Sequence, residues 1–77
     1  MHQQPPLFKV TFLDHVPMSD IVAFRETDFM GCGKVWRDNH SDRTLYLGAL
    51  NFSYAEVKAQ LTLLQVSDGA IRWVELT

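Results

Sequence analysis

Three residues that could bind a metal ion, Asp38, His40 and Asp42, occupy alternate positions in one short segment. Carboxylate and imidazole groups with this spacing are typical of the first half of a calcium-binding loop. The second half is missing, because Arg43 stands where such a loop requires glycine and Ala49 where it requires a bidentate glutamate. We therefore interpret this segment as a solvated turn, and we expect no metal and no cofactor.

Cys32, which lies between Gly31 and Gly33, is the only cysteine in the chain. A thiol nucleophile needs a neighbouring base, and nothing in the sequence brings His15 or His40 to it. A lone cysteine is more often a small buried hydrophobic residue. We interpret Cys32 in that way, and the alternative is a small hydrolase built around it.

The early acidic residues do not suggest acid–base catalysis. Asp14, Asp20, Glu26 and Asp28 lie in or beside predicted loops, and no spacing among them requires two carboxylates to converge in a cleft. A solvated rim is the simpler interpretation. With no nucleophile, base or metal set in view, we expect the protein not to be an enzyme.

Aromatic and basic residues are concentrated between positions 34 and 46. Suppose that the segments containing Trp36 and Tyr46 pair as strands. The alternation that turns Leu45 and Leu47 inward then turns Tyr46 outward. Trp36 shares that outer face, and the alternative is that Trp36 belongs to the core. Tryptophan, tyrosine and arginine are the usual anchors of protein interfaces. The predicted partner-binding residues are Lys34, Trp36, Arg37, Arg43 and Tyr46.

Two functions are compatible with such a surface. The first is a small non-enzymatic protein-binding module, an inhibitor or regulator of the kind carried by phages and mobile elements, which acts by occupying a partner's surface. The alternative is a nucleic-acid-binding domain that uses the outer face of the third and fourth predicted strands, residues 34–37 and 44–50, for stacking and phosphate contacts. Nine acidic against seven basic residues provide no general attraction for phosphate.

The segment from Gly33 to Leu64, with Lys34-Val35-Trp36, Tyr46-Leu47-Gly48, Phe52 and Ala55-Glu56, faintly resembles a known class of DNA-binding domain. This class comprises the sheet-plus-helix domains of plant ethylene-response factors and recombinase arm-binding modules. The likeness covers less than half of the chain and implies DNA binding by the sheet. The sheets of those domains are markedly basic, whereas Asp38 and Asp42 here offset two of the three bases in the predicted hairpin, which pairs the segments that contain Trp36 and Tyr46.

Period-two alternation predicts most of the elements that would position these residues. Strands are predicted from Leu7 to Phe12, over residues 34–37 and 44–50, and again over residues 70–76. The run Ile21 to Arg25 is rich in β-branched residues and is interpreted as a strand, with a helical turn capped by Ser19 or Asp20 as the alternative.

A helix beginning at Ser53 is the most strongly indicated element. Ser53 and Glu56 have the spacing of a capping box, and Phe52 and Val57 that of a hydrophobic staple. An apolar stripe, formed by Tyr54, Val57, Leu61 and Leu64, is expected to pack on the sheet. Glu56, Lys58, Gln60 and Gln65 flank or oppose that stripe, so we interpret the helix as a scaffold.

These elements predict the α+β class, with a mostly antiparallel sheet of four to five strands and one amphipathic helix on one face, in the order β-β-β-β-α-β. A chain of 77 residues builds one core. We therefore expect a flexible tail over residues 1–6 and a single α+β domain over residues 7–77. Because one cysteine cannot form an internal disulfide, homodimerisation stays open as a source of extra stability.

The sequence also predicts where the protein works. No stretch approaches the roughly 18 apolar residues that would span a bilayer, and the N-terminus lacks the cationic start of an export signal. A lone thiol fits a reducing compartment. We expect a cytoplasmic protein with no membrane partner.

Overall fold

Strands of alternating apolar and polar residues form one antiparallel sheet with helices packed on one side. The computed structural model describes residues 5–76. Its elements are β1 (Phe8–Phe12), α1 (Met18–Glu26), α2 (Asp28–Gly31), β2 (Lys34–Arg37), β3 (Thr44–Gly48), α3 (Tyr54–Val66) and β4 (Ile71–Glu75). The predicted α+β class is confirmed. Residues 1–4 of the predicted tail lie outside the described residues, and Pro5 and Pro6 have no regular secondary structure.

The four strands lie in the order β2-β3-β1-β4. Strand β1 pairs with β3 on one side, where Phe8 is opposite Leu47, and with β4 on the other, where Phe8 is opposite Glu75. The predicted hairpin is also present, because β2 pairs with β3 and Val35 is opposite Leu47. With α1 and α2 counted as one crossover, the element order is that of the ferredoxin-like β-α-β-β-α-β arrangement.

The prediction of a strand from Ile21 to Arg25 is wrong, because this run lies within α1. The helix begins after its N-cap residue Pro17, which has an extended backbone with φ −62° and ψ 146°. Of the apolar run, only Ile21 is fully buried in α1. The sheet therefore has four strands, and the predicted order β-β-β-β-α-β is wrong in its second element.

The segment Thr27 to Gly33 has an unusual backbone in which residues with side chains, and not only Gly31, have positive φ. Asp28, Phe29 and Met30 have φ values of 52°, 56° and 56°, so α2 is a left-handed turn. Each such residue costs about 1–2 kcal/mol. Burial of Phe29, whose ring centroid is 4.9 Å from that of Phe24, offsets part of this cost.

Helix α3 begins as predicted. The Ser53 hydroxyl accepts a hydrogen bond from the Glu56 amide at 3.2 Å and donates one to Glu56 Oε1 at 2.9 Å. The carboxylate thus meets the hydroxyl, whereas a full capping box would place it on the Ser53 amide. Val57, Leu61 and Leu64 are buried against the sheet.

The core lies between the sheet and the helices. Its strand residues occupy alternate positions, so they all point to the helical side: Phe8, Val10, Phe12, Leu45, Leu47 and Ile71. The opposite side of the sheet, which we call the outer face, is not covered by a helix among the described residues. Over the same residues, no helix is long and apolar enough to cross a membrane.

Candidate interaction surface on the open sheet

The outer face is defined by the strand register. Residues directly opposite each other in paired strands point to the same side of the sheet. One row crosses all four strands, with Trp36 opposite Tyr46, Tyr46 opposite Lys9, and Lys9 opposite Val74. The outward positions are Lys34, Trp36, Thr44, Tyr46, Gly48, Lys9, Thr11, Arg72 and Val74.

Trp36 is a half-buried residue of this face. Its ring lies above Gly48, because a Cβ atom on Gly48 would be 3.1 Å from Cζ3 of Trp36 and 3.1 Å from the Cα of Pro6. Lys34 Nζ lies 5.1 Å from the centroid of the indole ring, which is a cation–π distance. Gly48 therefore allows close approach of the indole, Lys34 covers part of the ring, and Pro6 also lies above Gly48.

Tyr46, the neighbour of Trp36 in the row, is held by a carboxylate. Its hydroxyl donates to Asp38 Oδ1 at 2.9 Å, and Asp38 Oδ2 accepts from the His40 amide at 2.9 Å. The amide and then the hydroxyl lower the pKa of Asp38, because both hydrogen bonds stabilise its charged form. The same bond to Asp38 raises the pKa of Tyr46. Tyr46 is thus fixed as a neutral hydrogen-bond donor at the β2–β3 end of the row.

The outer face is positively charged although the whole chain has a formal net charge of −2. Lys9, Lys34 and Arg72 are exposed on it, and no outward strand position within residues 5–76 holds an acid. The helices have the opposite balance: they carry the acids Asp20, Glu26, Asp28 and Glu56 against the bases Arg25 and Lys58. Because charge is separated between the two sides, overall composition underestimates the attraction of the outer face for anions.

The five predicted partner-binding residues do not all lie together. Lys34, Trp36 and Tyr46 share the outer face. Arg37 follows Trp36 and therefore points to the other side of the strand, where its guanidinium is 3.9 Å from Asp42 Oδ1 and both side chains are largely exposed.

Arg43 binds the backbone of a neighbouring loop. Its Nη1 atom donates to the carbonyl oxygens of Leu13 and Val16, at 2.8 Å in each case. These bonds tie the start of β3 to the loop between β1 and α1. The Arg43 guanidinium is therefore engaged within the fold and is not grouped with Trp36 and Tyr46, because a basic residue beside a strand can serve as an internal hydrogen-bond donor.

Sequence reasoning missed Lys9, Arg72 and Val74. Alternation along β1 points Lys9 away from the side that Phe8 faces, and alternation along β4 points Arg72 away from the side that Ile71 faces. Each strand pattern by itself therefore predicts that its basic residue faces outward. What the alternation does not give is which strands are neighbours. Only the pairing of β1 with both β3 and β4 brings Lys9 directly opposite Tyr46 and places Val74 and Arg72 on the same face, on the far side of β1.

The other candidate chemistry is not supported by the geometry. Asp38 to Asp42 form a turn in which Asp38 bonds to the His40 amide and Asp42 approaches Arg37. Within residues 5–76 no group of three metal-binding side chains is found. Cys32 is buried, and burial raises the pKa of its thiol, which disfavours the reactive thiolate.

Comparison with protein-family models, curated proteins and solved structures finds no match to this chain. The resemblance of residues 33–64 to sheet-plus-helix DNA-binding domains is therefore without further support. A function has to be inferred from the surface itself, since a fold arrangement alone does not define one.

Proposed function

We propose that this protein is a small, cytoplasmic, non-enzymatic protein-binding module, an inhibitor or regulator that occupies an acidic surface of a partner with its outer sheet face. The observation that carries the proposal is the row of Trp36, Tyr46, Lys9 and Val74 across all four strands. Tryptophan, tyrosine and arginine are enriched in protein interfaces, and here two aromatic residues share one open sheet face with Arg72.

The immediate surroundings of the aromatic rings favour a protein partner over nucleic acid. A nucleic-acid base stacks on a free ring face, whereas Lys34 lies over Trp36, and Pro6 lies beside it above Gly48. The Tyr46 hydroxyl is bonded to Asp38, whose carboxylate would repel a phosphate backbone. A protein surface with carboxylates can pair with Lys9 and Arg72 without stacking on either ring.

Affinity capture with a charge-reversed variant tests the proposal. Lys9 and Arg72 are exposed, so Lys9→Glu combined with Arg72→Glu should leave the fold intact, as circular dichroism can verify. Arg25→Glu makes the same type of change on α1 and is the matched control. We expect the wild-type chain and the Arg25→Glu variant to retain the same protein from a lysate of the native host, and the double variant to lose it.

Two results of this capture experiment would contradict the proposal. One is retention of the same protein by the double variant, which would place the contact elsewhere on the molecule. The other is recovery of nucleic acid alone, removed by nuclease treatment, which would favour the second candidate.

Nucleic-acid binding remains the second candidate because three cations lie on a sheet face that no described helix covers. If Lys9, Lys34 and Arg72 each neutralise one phosphate of a single strand, affinity should fall about 20-fold between about 50 and 200 mM salt. Fluorescence polarisation with a labelled single-stranded oligonucleotide measures this slope. Absence of binding at the lower salt concentration would exclude this function.

A further inference from the structure

Helix α3 is apolar on the side that faces away from the core as well as on the side that faces it. Opposite the buried stripe lie Ala55, Ala59, Leu63 and Val66, spaced as i, i+4, i+8 and i+11. Leu63 is 54% exposed and Val66 is 74% exposed. A surface helix normally presents polar residues at these positions. We call this set the outer stripe of α3, and its apolar character is not explained by the interpretation of the helix as a scaffold.

The outer stripe is continuous with an apolar groove. This groove, of about 500 Å³, lies between the α2 region and the first half of α3. Most of its lining is apolar and includes Met30, Phe52 and Ala59, and the polar residues that line it are Glu56 and Gln60. Met30 is 54% exposed and Phe52 is 51% exposed. A contiguous apolar patch of this kind marks an interaction site, whereas single exposed apolar residues do not.

We infer that a second copy of the chain covers this patch, with the two α3 helices packed antiparallel about a twofold axis. The outer stripe has small side chains at its N-terminal end, where Ala55 and Ala59 lie, and larger ones at its C-terminal end, where Leu63 and Val66 lie. Antiparallel packing places the large residues of one copy over the small residues of the other. Parallel packing would set alanine against alanine and leave a gap, which close-packed interfaces avoid.

The charges of α3 are compatible with this arrangement. Its only charged residues are Glu56 and Lys58; neither belongs to the outer stripe, and Glu56 lines the groove beside it. Lys58 is held on the β4 side by Glu75, at 2.7 Å. In an antiparallel pair centred on the stripe, the two Glu56 residues are separated by roughly 13 Å along the axis, which exceeds the screening length at physiological salt.

The interface is expected to be of modest strength. A stable dimer buries roughly 800 Å² on each partner, about a sixth of the 5077 Å² surface of the described chain, and one 13-residue helix supplies only part of that area. We therefore expect association to be seen at micromolar or higher protein concentrations. Since α3 lies on the helical side of the sheet, the dimer leaves both outer faces free for partners.

Sedimentation equilibrium over roughly 1 to 500 µM tests the association. We expect the mass to rise with concentration from 8.9 kDa towards twice that value. Leu63→Glu and Val66→Glu should each raise the dissociation constant about 30-fold or more. Both residues are largely exposed, so the variants should fold. Val74→Glu, at a residue with 54% exposure on the outer face, is the matched control and should dimerise normally.

Crosslinking tests the direction of the pair in a Cys32→Ser background. Antiparallel packing brings position 55 of one copy to position 66 of the other, so the Ala55→Cys/Val66→Cys double variant should form intermolecular disulfides. Each single variant should not. Within one helix these positions are about 16 Å apart, which excludes an internal bridge.

Several results would overturn the inference. A mass of one chain at every concentration would exclude the dimer, and a dimer unaffected by Leu63→Glu would place the interface elsewhere. Efficient crosslinking of Ala55→Cys alone would show parallel helices. Binding of a different protein to α3 by a chain that stays monomeric would assign the patch to that protein.

Discussion

The ammonium of Lys58 on α3 lies 2.7 Å from Oε1 of Glu75 on β4, and the hydroxyl of Tyr54 donates to Oε2 of the same carboxylate at 3.0 Å. Glu75 therefore connects the helix to an edge strand of the sheet by two hydrogen bonds. The Lys58 hydrogen bond is the main cause of the lowered pKa of Glu75, and Glu75 in turn raises the pKa of Lys58.

Removing the Glu75 charge should therefore reduce stability in a pH-dependent way. Because its pKa is lowered by folding, its contribution is fully present above its ordinary value of 4.5 and is lost as the pH falls through the lowered folded value. Since folding raises the pKa of Lys58, the contribution of Lys58 is fully present below 10.5. Urea unfolding should show Glu75→Gln to be less stable than wild type between these limits, and the difference should disappear in acid.

Glu26→Gln is the control for this pH dependence. Glu26 is an exposed acid at the end of α1 and accepts no side-chain hydrogen bond among those described. Its removal should change the urea midpoint little. A Glu75→Gln variant whose loss of stability is the same in acid as at neutral pH would contradict the role of the charge.

Arg43 and Arg37 should differ in their effects on stability. Arg43 makes two bonds to backbone carbonyls in a partly buried site, so Arg43→Gln should cost about 1.5–3 kcal/mol. Arg37 makes one long, exposed ion pair with Asp42, so Arg37→Gln should cost less than about 0.5 kcal/mol. Urea unfolding of the two variants measures the difference. Equal small effects would return Arg43 to the group of free surface cations.

The elements that the sequence predicts correctly are those that local patterns specify. Alternation defines β1, β3 and β4, and the Ser53 cap fixes the start of α3, because each signal lies within a few neighbouring residues. The run from Ile21 to Arg25 is too short to distinguish a period of two from one of 3.6. Its helical state depends on Pro17 before it and on the burial of Ile21 in the core.

Only part of the candidate surface can be predicted from the sequence, because the rest depends on pairing between distant strands. Trp36 and Tyr46 lie on adjacent strands joined by a short turn, so their pairing can be predicted from the hairpin. Lys9 joins them through a strand that is more than 30 positions away in the chain, and Arg72 through another. Long-range strand order is set by how the helices cover the sheet, which one sequence does not reveal locally.

Ala49 should gain stability when it is replaced by glycine. Its φ is 45°, a left-handed conformation that costs an L-residue about 1–2 kcal/mol, and its side chain is exposed. Part of the gain is offset by the greater freedom of glycine in the unfolded chain. We expect Ala49→Gly to stabilise by about 0.5–1 kcal/mol in urea unfolding. Ala23→Gly, in right-handed helix α1, should instead destabilise by about 1 kcal/mol.

The backbone geometry requires that these two glycine substitutions change the free energy of unfolding in opposite directions. Destabilisation of similar size at both positions would show that Ala49 does not adopt the left-handed conformation in solution.

The contact between Tyr46 and Asp38 can be measured by titration. Tyr54→Phe leaves Tyr46 as the only tyrosine, and its ionisation can be followed by ultraviolet absorbance. Because the hydrogen bond to the Asp38 carboxylate is the main cause of its raised pKa, Asp38→Asn in this background should lower the Tyr46 pKa towards 10.0. Asp42→Asn removes a nearby acid that does not bond to Tyr46, so it should leave most of the elevation in place. Equal shifts from the two substitutions would mean that general negative charge near the β2–β3 turn, and not the hydrogen bond, raises the Tyr46 pKa.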